Sequence, residues 1–291
     1  MNCIHIGVLD MNYSAEVSAG QRFEFGKNWT RFLASLDSER VDEAVKSLKS
    51  MLEIEDLRGR RFLDIGSGSG LFSLAARRLG AEVCSFDYDP ASVACTAELK
   101  RRYFDSDGGW RVEEGSALDP EYLATLGKFD VVYSWGVLHH TGAMWQALQN
   151  VVPLVERRGK LFISIYNDQG GKSRRWTAVK RIYNRLPAPF RWLMVGGIGS
   201  YSVTRTTLIN LVRGQNPVQW IADRKRSRGM SYFVDLIDWV GGYPFEVARP
   251  EEIFDFFRAH KFALERLKTD GGGHGCNEFV FVRRDEPGLS G

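Results

Sequence analysis

An α/β fold on a mostly parallel sheet is what this 291-residue sequence predicts. Three observations carry the prediction. Short apolar runs alternate with helical segments from residue 59 to 166, the first run ends in a glycine-rich turn, and two further apolar runs return near the end of the chain. Strands alternating with helices imply right-handed βαβ units. The expected architecture is a three-layer Rossmann-like fold with a seven-stranded sheet and helices on both faces.

The elements follow in order. Residues 1–58 read as a polar, aromatic-flecked start followed by a helix, an N-terminal helical cap. Val41, Val45, Leu48, Met51 and Leu52 recur near the helical period, and Asp37 or Ser38 suits its N-cap. Residues 59–166 form the core. Arg61–Ile65 is a first buried strand, Gly66-Ser67-Gly68-Ser69-Gly70 a tight turn, and Leu71–Leu79 a helix. Glu82–Phe86 is a second strand running into Asp87, with a helix after Pro90. Trp110–Glu114, Phe129–Ser134 and Lys160–Tyr166 supply the third to fifth strands.

From Asn167 to about Arg249 the rhythm stops, which marks a largely helical insertion after the fifth strand. Residues 174–186 carry Trp176, Val179, Ile182, Tyr183 and Leu186 at helical spacing. Arg174, Arg181 and Arg185 group on the opposite face, as in an amphipathic basic helix. Residues 250–291 complete the sheet, with a helix over Pro250–His260 and strands at Phe262–Leu267 and Phe279–Val282.

Composition narrows the function. No apolar run reaches the roughly 18 residues of a membrane span, and residues 1–14 lack the regions of a secretory signal. Cys3, Cys84, Cys95 and Cys276 show no CxxC spacing, so neither a disulfide framework nor a zinc site is expected, and the reducing cytoplasm is the expected compartment. The net charge of +3 hides an asymmetry: residues 172–228 hold 13 Lys and Arg against one acid, a local net of +12 on a body of net −9.

A strand, a glycine-rich turn and a helix make a site for a nucleotide-like ligand, because glycines let the backbone approach and the helix N-terminus offers unpaired N–H groups. The dinucleotide pattern G-x-G-x-x-G needs glycine at 71, where Leu71 stands. The sequence instead reads Asp64-x-Gly66-x-Gly68-x-Gly70. In this motif the chain resembles the class I S-adenosylmethionine-dependent methyltransferases, whose first motif is an acid followed by GxGxG. The resemblance covers roughly residues 59–166 and the last two strands.

The resemblance implies S-adenosyl-L-methionine as methyl donor, S-adenosyl-L-homocysteine as product, and no metal. It assigns Asp64, Gly66, Ser67, Gly68 and Gly70 to the cofactor loop, Asp87 to the ribose hydroxyls and Tyr88 to the adenine. Ser116 and Ala117 stand where the family often has an acid near the adenine amino group, which leaves Asp119 as a substitute. Residues 134–140, Ser-Trp-Gly-Val-Leu-His-His, are much like the strand-to-helix stretch of the ubiquinone-type C- and O-methylases. They bring Trp135 to the cofactor, and of His139 and His140 one reads as structural and one as facing the acceptor. Residues 22–29 resemble caps that close over the cofactor.

Ligands bind outside the carboxyl ends of parallel strands. The insertion leaves from that end of the fifth strand, and with an antiparallel last strand the glycine-rich turn of residues 269–277 opens on the same face. For a hydroxyl or carbon acceptor the protein must supply a base, and histidine titrates near neutrality. His139, His140 and His274 are the candidates. Arg174, Arg175, Arg181, Tyr243 and Asn277 are the candidate acceptor contacts. Three readings follow: O-, C- or N-transfer to a small anionic or lipid-linked acceptor, an RNA methyltransferase whose basic insertion tracks phosphates, or a membrane-associated cofactor-binding module that sits on an anionic surface through residues 190–195.

Overall fold

The computed structural model describes residues 12–34, 36–106, 108–214, 232–271 and 275–285. Seven strands form one sheet: β1 (Arg61–Ile65), β2 (Glu82–Asp87), β3 (Trp110–Glu114), β4 (Phe129–Trp135), β5 (Val155–Tyr166), β6 (Phe262–Lys268) and β7 (Cys276–Arg283). Their order is β3-β2-β1-β4-β5-β7-β6, with only β7 antiparallel to its neighbours. The order reverses between β1 and β4, and that switch point is where an open α/β sheet leaves a crevice for a ligand.

Both faces of the sheet are covered, so successive residues of each strand enter different cores. Phe62, Val83, Val131, Tyr133 and Phe162 pack against α3 (Ser38–Leu52), α4 (Leu71–Arg78) and α5 (Pro90–Phe104). Leu63, Ile65, Phe86, Val132 and Ile163 pack on the opposite face. There they meet α6 (Pro120–Leu126), α7 (Met144–Val151) and a helix at Pro250–Ala259. Asp37 caps α3 by accepting from the Arg40 N–H at 2.9 Å. Two strands exceed their expected length by four residues or more. β5 begins five residues early because Val155 already pairs with Phe129 ahead of a bulge at which Arg158 takes φ 59. β7 starts at Cys276 because the polar Asn277 and Glu278 still pair with Ile165 and Ser164.

Two helices precede α3: α1 (Tyr13–Ser18) and α2 (Gly26–Ala34). Three more lie between β5 and the Pro250 helix: α8 (Gly171–Arg185), α9 (Ala188–Val212) and α10 (Tyr232–Gly241); the Pro250 helix is α11. Buried Tyr183, Val195, Leu236 and Val240 give these three a core of their own, against which Phe23 of the N-terminal segment packs. The burial of α8 corrects the helical-wheel expectation. Ile182 is 53% exposed, while Lys180 is fully buried beside Tyr183 and Asn184. Among the described residues no helix is long and apolar enough to cross a membrane, and no group of His, Cys, Asp and Glu is arranged to hold a metal ion.

Candidate active site

The turn after β1 is shaped by backbone that only glycine adopts easily. Gly66, Gly68 and Gly70 have φ of 76°, 55° and 78°. A Cβ on Gly68 would stand 3.0 Å from the Trp29 indole, so the loop surface is bare backbone roofed by an aromatic ring. Behind it Asp64 is almost fully buried and accepts from Ser73 Oγ at 2.5 Å; burial pushes its carboxyl up to about 7.

Asp87, at the end of β2, receives the Gly68 N–H on Oδ2 and the Asp89 N–H on Oδ1, both at 2.9 Å. A carboxylate offers about four acceptor positions, so lone pairs remain for a diol. Burial raises its pKa to about 6 against the pull of these N–H groups. Bare glycine backbone, an adjacent carboxylate and a large cavity fit a nucleoside-bearing cofactor. The cavity measures about 1330 Å³, above the ~300–1,000 Å³ of a site for one ligand. It has room for a cofactor and an acceptor together.

The N-terminal helices close one side. Asp89 is buried and accepts from Tyr13 Oη at 2.5 Å, Gly26 N at 2.7 Å and Ala91 N at 2.9 Å, so one carboxylate caps α5 and ties down α1 and α2. Arg22 donates to the His140 carbonyl at 2.9 Å and to Glu16 at 2.5 Å, with its guanidinium 4.9 Å from the Tyr88 ring centroid. Asn28 donates to Asp238 of α10, which ties the cap to the insertion. Phe23, Phe25 and Trp29 face the cavity.

The other side is the chamber beneath the insertion. His140 lines it; its Nδ1 lies 2.5 Å from the Pro244 carbonyl, which fixes the proton on Nδ1 and leaves Nε2 its lone pair. Burial, with Lys180 and Arg22 nearby, holds its pKa down at about 3. His139 is buried behind it, 4.5 Å away between ring centroids, and accepts from the Tyr166 N–H at 3.3 Å. Tyr166, Trp176, Trp239 and Leu236 wall the chamber; Lys172, Arg205 and Lys268 supply its cations. Lys180 stands just behind that wall. Its ammonium is 4.5 Å from the Trp239 centroid and 4.7 Å from that of Phe245, and it donates to the Trp239 carbonyl. Burial lowers its pKa to about 7.

The sequence-derived candidates separate cleanly. Asp64, Gly66, Ser67, Gly68, Asp87 and Tyr88 line the cavity, and so do Ser116, Ala117, Trp135 and His140. Gly70 stands outside the lining, where its backbone starts α4 against Thr96. Asp119 is the N-cap of α6, accepting from Glu121 and Tyr122 N–H, and is not in the lining. His139 is fully buried behind His140 and is not in the lining. Arg174, Arg175 and Arg181 are also outside the lining, and Arg181 lies against Tyr243, donating to its hydroxyl at 3.2 Å. Asn277 is buried and joined to Asn167 and the Asp270 N–H. His274 lies outside the described residues, although Thr269, Asp270, Gly275 and Cys276 of the same turn do line the cavity. Sequence reasoning missed Asp89, Tyr166, Lys172 and Arg205 as site residues.

Comparison with known proteins agrees with this geometry. A family model described as a methyltransferase domain matches residues 63–161. The mitochondrial ubiquinone biosynthesis O-methyltransferase of Schizosaccharomyces pombe is 25% identical over 239 residues, 75% of this chain and 84% of that protein. The ubiquinone biosynthesis O-methyltransferase of Xanthomonas oryzae pv. oryzae is 34% identical over 112 residues, covering 38% of this chain and 45% of the relative. The match to the Xanthomonas protein thus spans less than half of that relative's length. Among solved structures, the (4+2)-cyclase SpnF superposes with a TM-score of 0.50 at 11% identity, over 84% of this chain and 81% of that one. That likeness concerns the fold alone. With the acid-GxGxG loop, the Asp87 carboxylate and the switch-point cavity, these matches make residues 63–161 a methyltransferase domain and support a class I S-adenosylmethionine-dependent methyltransferase resembling the ubiquinone-type group.

Proposed function

We propose that the protein transfers a methyl group from S-adenosylmethionine to a hydroxyl oxygen of a small anionic acceptor held beneath the insertion. The observation that carries this reading is the continuity of one cavity from Gly68 and Asp87 to His140, Tyr166 and the cations Lys172 and Arg205. Asp64, Gly66, Gly68 and Asp87 hold the cofactor, and Trp29 and Phe25 exclude water from it. The cofactor supplies a methyl group activated on a sulfonium, whose S–C bond breaks as the O–C bond forms. The chain's own task is to align the acceptor and take up its proton.

His140 Nε2 is the acceptor of that proton. Its Nδ1–H is committed to the Pro244 carbonyl, so the free nitrogen is the basic one. A base with pKa about 3 takes the proton only late, once the forming O–C bond has made the hydroxyl acidic. Lys172 and Arg205 stand where a carboxylate or phosphate of the acceptor would be paired. In this reading Lys172 and Arg205, which line the cavity, anchor the acceptor rather than Arg174, Arg175 and Arg181. The setting we envisage is cytoplasmic, with a membrane rather than RNA as the larger partner. Tracking phosphates calls for charge, whereas the insertion also exposes many large apolar side chains.

The test is transfer from radiolabelled S-adenosylmethionine to hydroxybenzoate and catechol probes, with the product identified by mass spectrometry. A methyl ether is expected, with the acceptor Michaelis constant raised about tenfold or more by Arg205→Ala and cofactor affinity unchanged. Methylated carbon or nitrogen, or indifference to the acceptor's charge, overturns the assignment.

A further inference from the structure

His140 is carried by a turn too short to hold itself in place. Leu138–His140 is a single 3-10 turn, and a helix end leaves its last carbonyls without an internal donor. Those of His140 and Thr141 are taken up from outside. Arg22 Nη1 donates to the first at 2.9 Å and Nη2 to the second at 3.4 Å. Val137, just before the turn, sits so close to the cofactor loop that a Cβ on Gly66 would stand 2.3 Å from its Cγ1. Phe25 packs on the His140 ring at 5.0 Å between centroids. The N-terminal segment thus holds the turn that presents His140 Nε2.

The same guanidinium reaches the nucleoside end of the cavity. Its Nε donates to Glu16 Oε2 at 2.5 Å, and its carbon lies 4.9 Å from the Tyr88 ring centroid. Tyr88 Oη donates to the other oxygen of Glu16 at 3.3 Å, and Tyr13 meets the Tyr88 ring edge-on. Tyr88 directly follows Asp87 and lines the cavity with it. The Arg22 side chain is 15% exposed, and its three nitrogens are committed, two to the turn and one to Glu16. A planar fork makes such divergent bonds at once, which a lysine cannot. A single side chain therefore spans the seat of the donor and the turn of the base.

We infer that Arg22 is a positioning residue: a nucleoside seated against Tyr88 fixes its guanidinium, and the guanidinium fixes the turn of His140. Covering Tyr88 removes water from the flank of Arg22, and in that lower dielectric its bonds to the two carbonyls strengthen. The linkage is reciprocal, so a held turn also favours the bound cofactor. The acceptor chamber is then set for proton removal when the donor is in place. This rests on the proposed methyl transfer only for its effect on turnover; the link between cofactor and turn is read without it.

Hydrogen exchange of the full chain, with and without saturating S-adenosylhomocysteine, tests the link. In the wild type the ligand is expected to slow exchange across residues 138–146 by about tenfold or more. Arg22→Ala is expected to lose most of that slowing, while residues 66–71 stay protected as in the wild type. Arg22→Lys, which keeps the charge but not the fork, is expected to behave like the alanine variant and carries the measurement should that variant not fold. With soluble hydroxybenzoate, kcat of the variant is expected to fall about tenfold or more, the acceptor Michaelis constant staying within about twofold. Equal slowing over residues 138–146 in wild type and variant, or none in the wild type, overturns the inference. A loss confined to the acceptor Michaelis constant assigns Arg22 to acceptor binding and overturns it too. Turnover unchanged by His140→Gln speaks against the proposed base and leaves the exchange result standing.

Discussion

Asp87 links position, protonation and affinity. Its pKa of about 6 lies above the ordinary 3.8 because burial disfavours the charge. Hydroxyl donors favour the ionised form, so affinity for S-adenosylhomocysteine is expected to be full above pH 7 and to fall as pH drops through 6. Calorimetry at pH 5, 6 and 7.5 measures this. Asp87→Asn should bind about tenfold or more weakly at pH 7.5 and lose the step near pH 6, keeping only the dependence set by Asp64, whose carboxyl lies at about 7; an unchanged step near 6 in the variant would place the titrating group elsewhere. Lys180 gives the opposite dependence. Its pKa is lowered from 10.5 to about 7, so the unfolded chain binds more protons between those values and stability rises with pH across that window. Below pH 7 the full cost of burying the ammonium is present. Lys180→Met is therefore expected to stabilise the fold at pH 6 by about 1–4 kcal/mol, with the gain shrinking by pH 9.5. Thermal melts at both pH values decide it, and a pH-independent change would assign the effect to packing. Lys180 was legible in principle: it stands four residues after Trp176 and three before Tyr183, on the apolar face, but a run of basic residues reads as a solvated face. The role of His140 was not legible, because its tautomer is set by a carbonyl about a hundred residues away.

At the scale of elements, the sheet was readable because buried parallel strands are nearly continuous apolar runs, and Arg61–Ile65 and Trp110–Glu114 were placed to the residue. The polar ends of β7 and the bulged start of β5 were not, since their pairing is decided by neighbours across the sheet. The N-terminal tie is a further case. Asp89-Pro90 announces a helix start, yet nothing local says that the same carboxylate holds Tyr13 and Gly26. Asp89→Ala removes both links along with the α5 cap. Hydrogen exchange across residues 12–34 is expected to speed up at least tenfold in the cofactor-free variant, against a smaller change in α5. Uniform acceleration of both segments would reduce Asp89 to a helix cap.

For the whole molecule, the sequence located the basic island but not its inward face. A helix presents charge all round until its packing partners are known. Once α10 covers one side of α8, Lys180 is inside, Lys172 reaches the cavity, and Arg174, Arg175 and Arg181 stand away from it. The same geography separates the two ends of the cavity. Trp29, Phe25 and the Asp89 tie lie over the glycine loop, whereas the acceptor chamber is bounded by α9. The molecule therefore has two doors with different locks. The cofactor's door is fastened by the chain's own N-terminal helices, while the acceptor's door is bounded by the insertion. An ordered sequence is therefore expected, donor on first and its demethylated remnant off last, and the pattern of product inhibition by S-adenosylhomocysteine checks it.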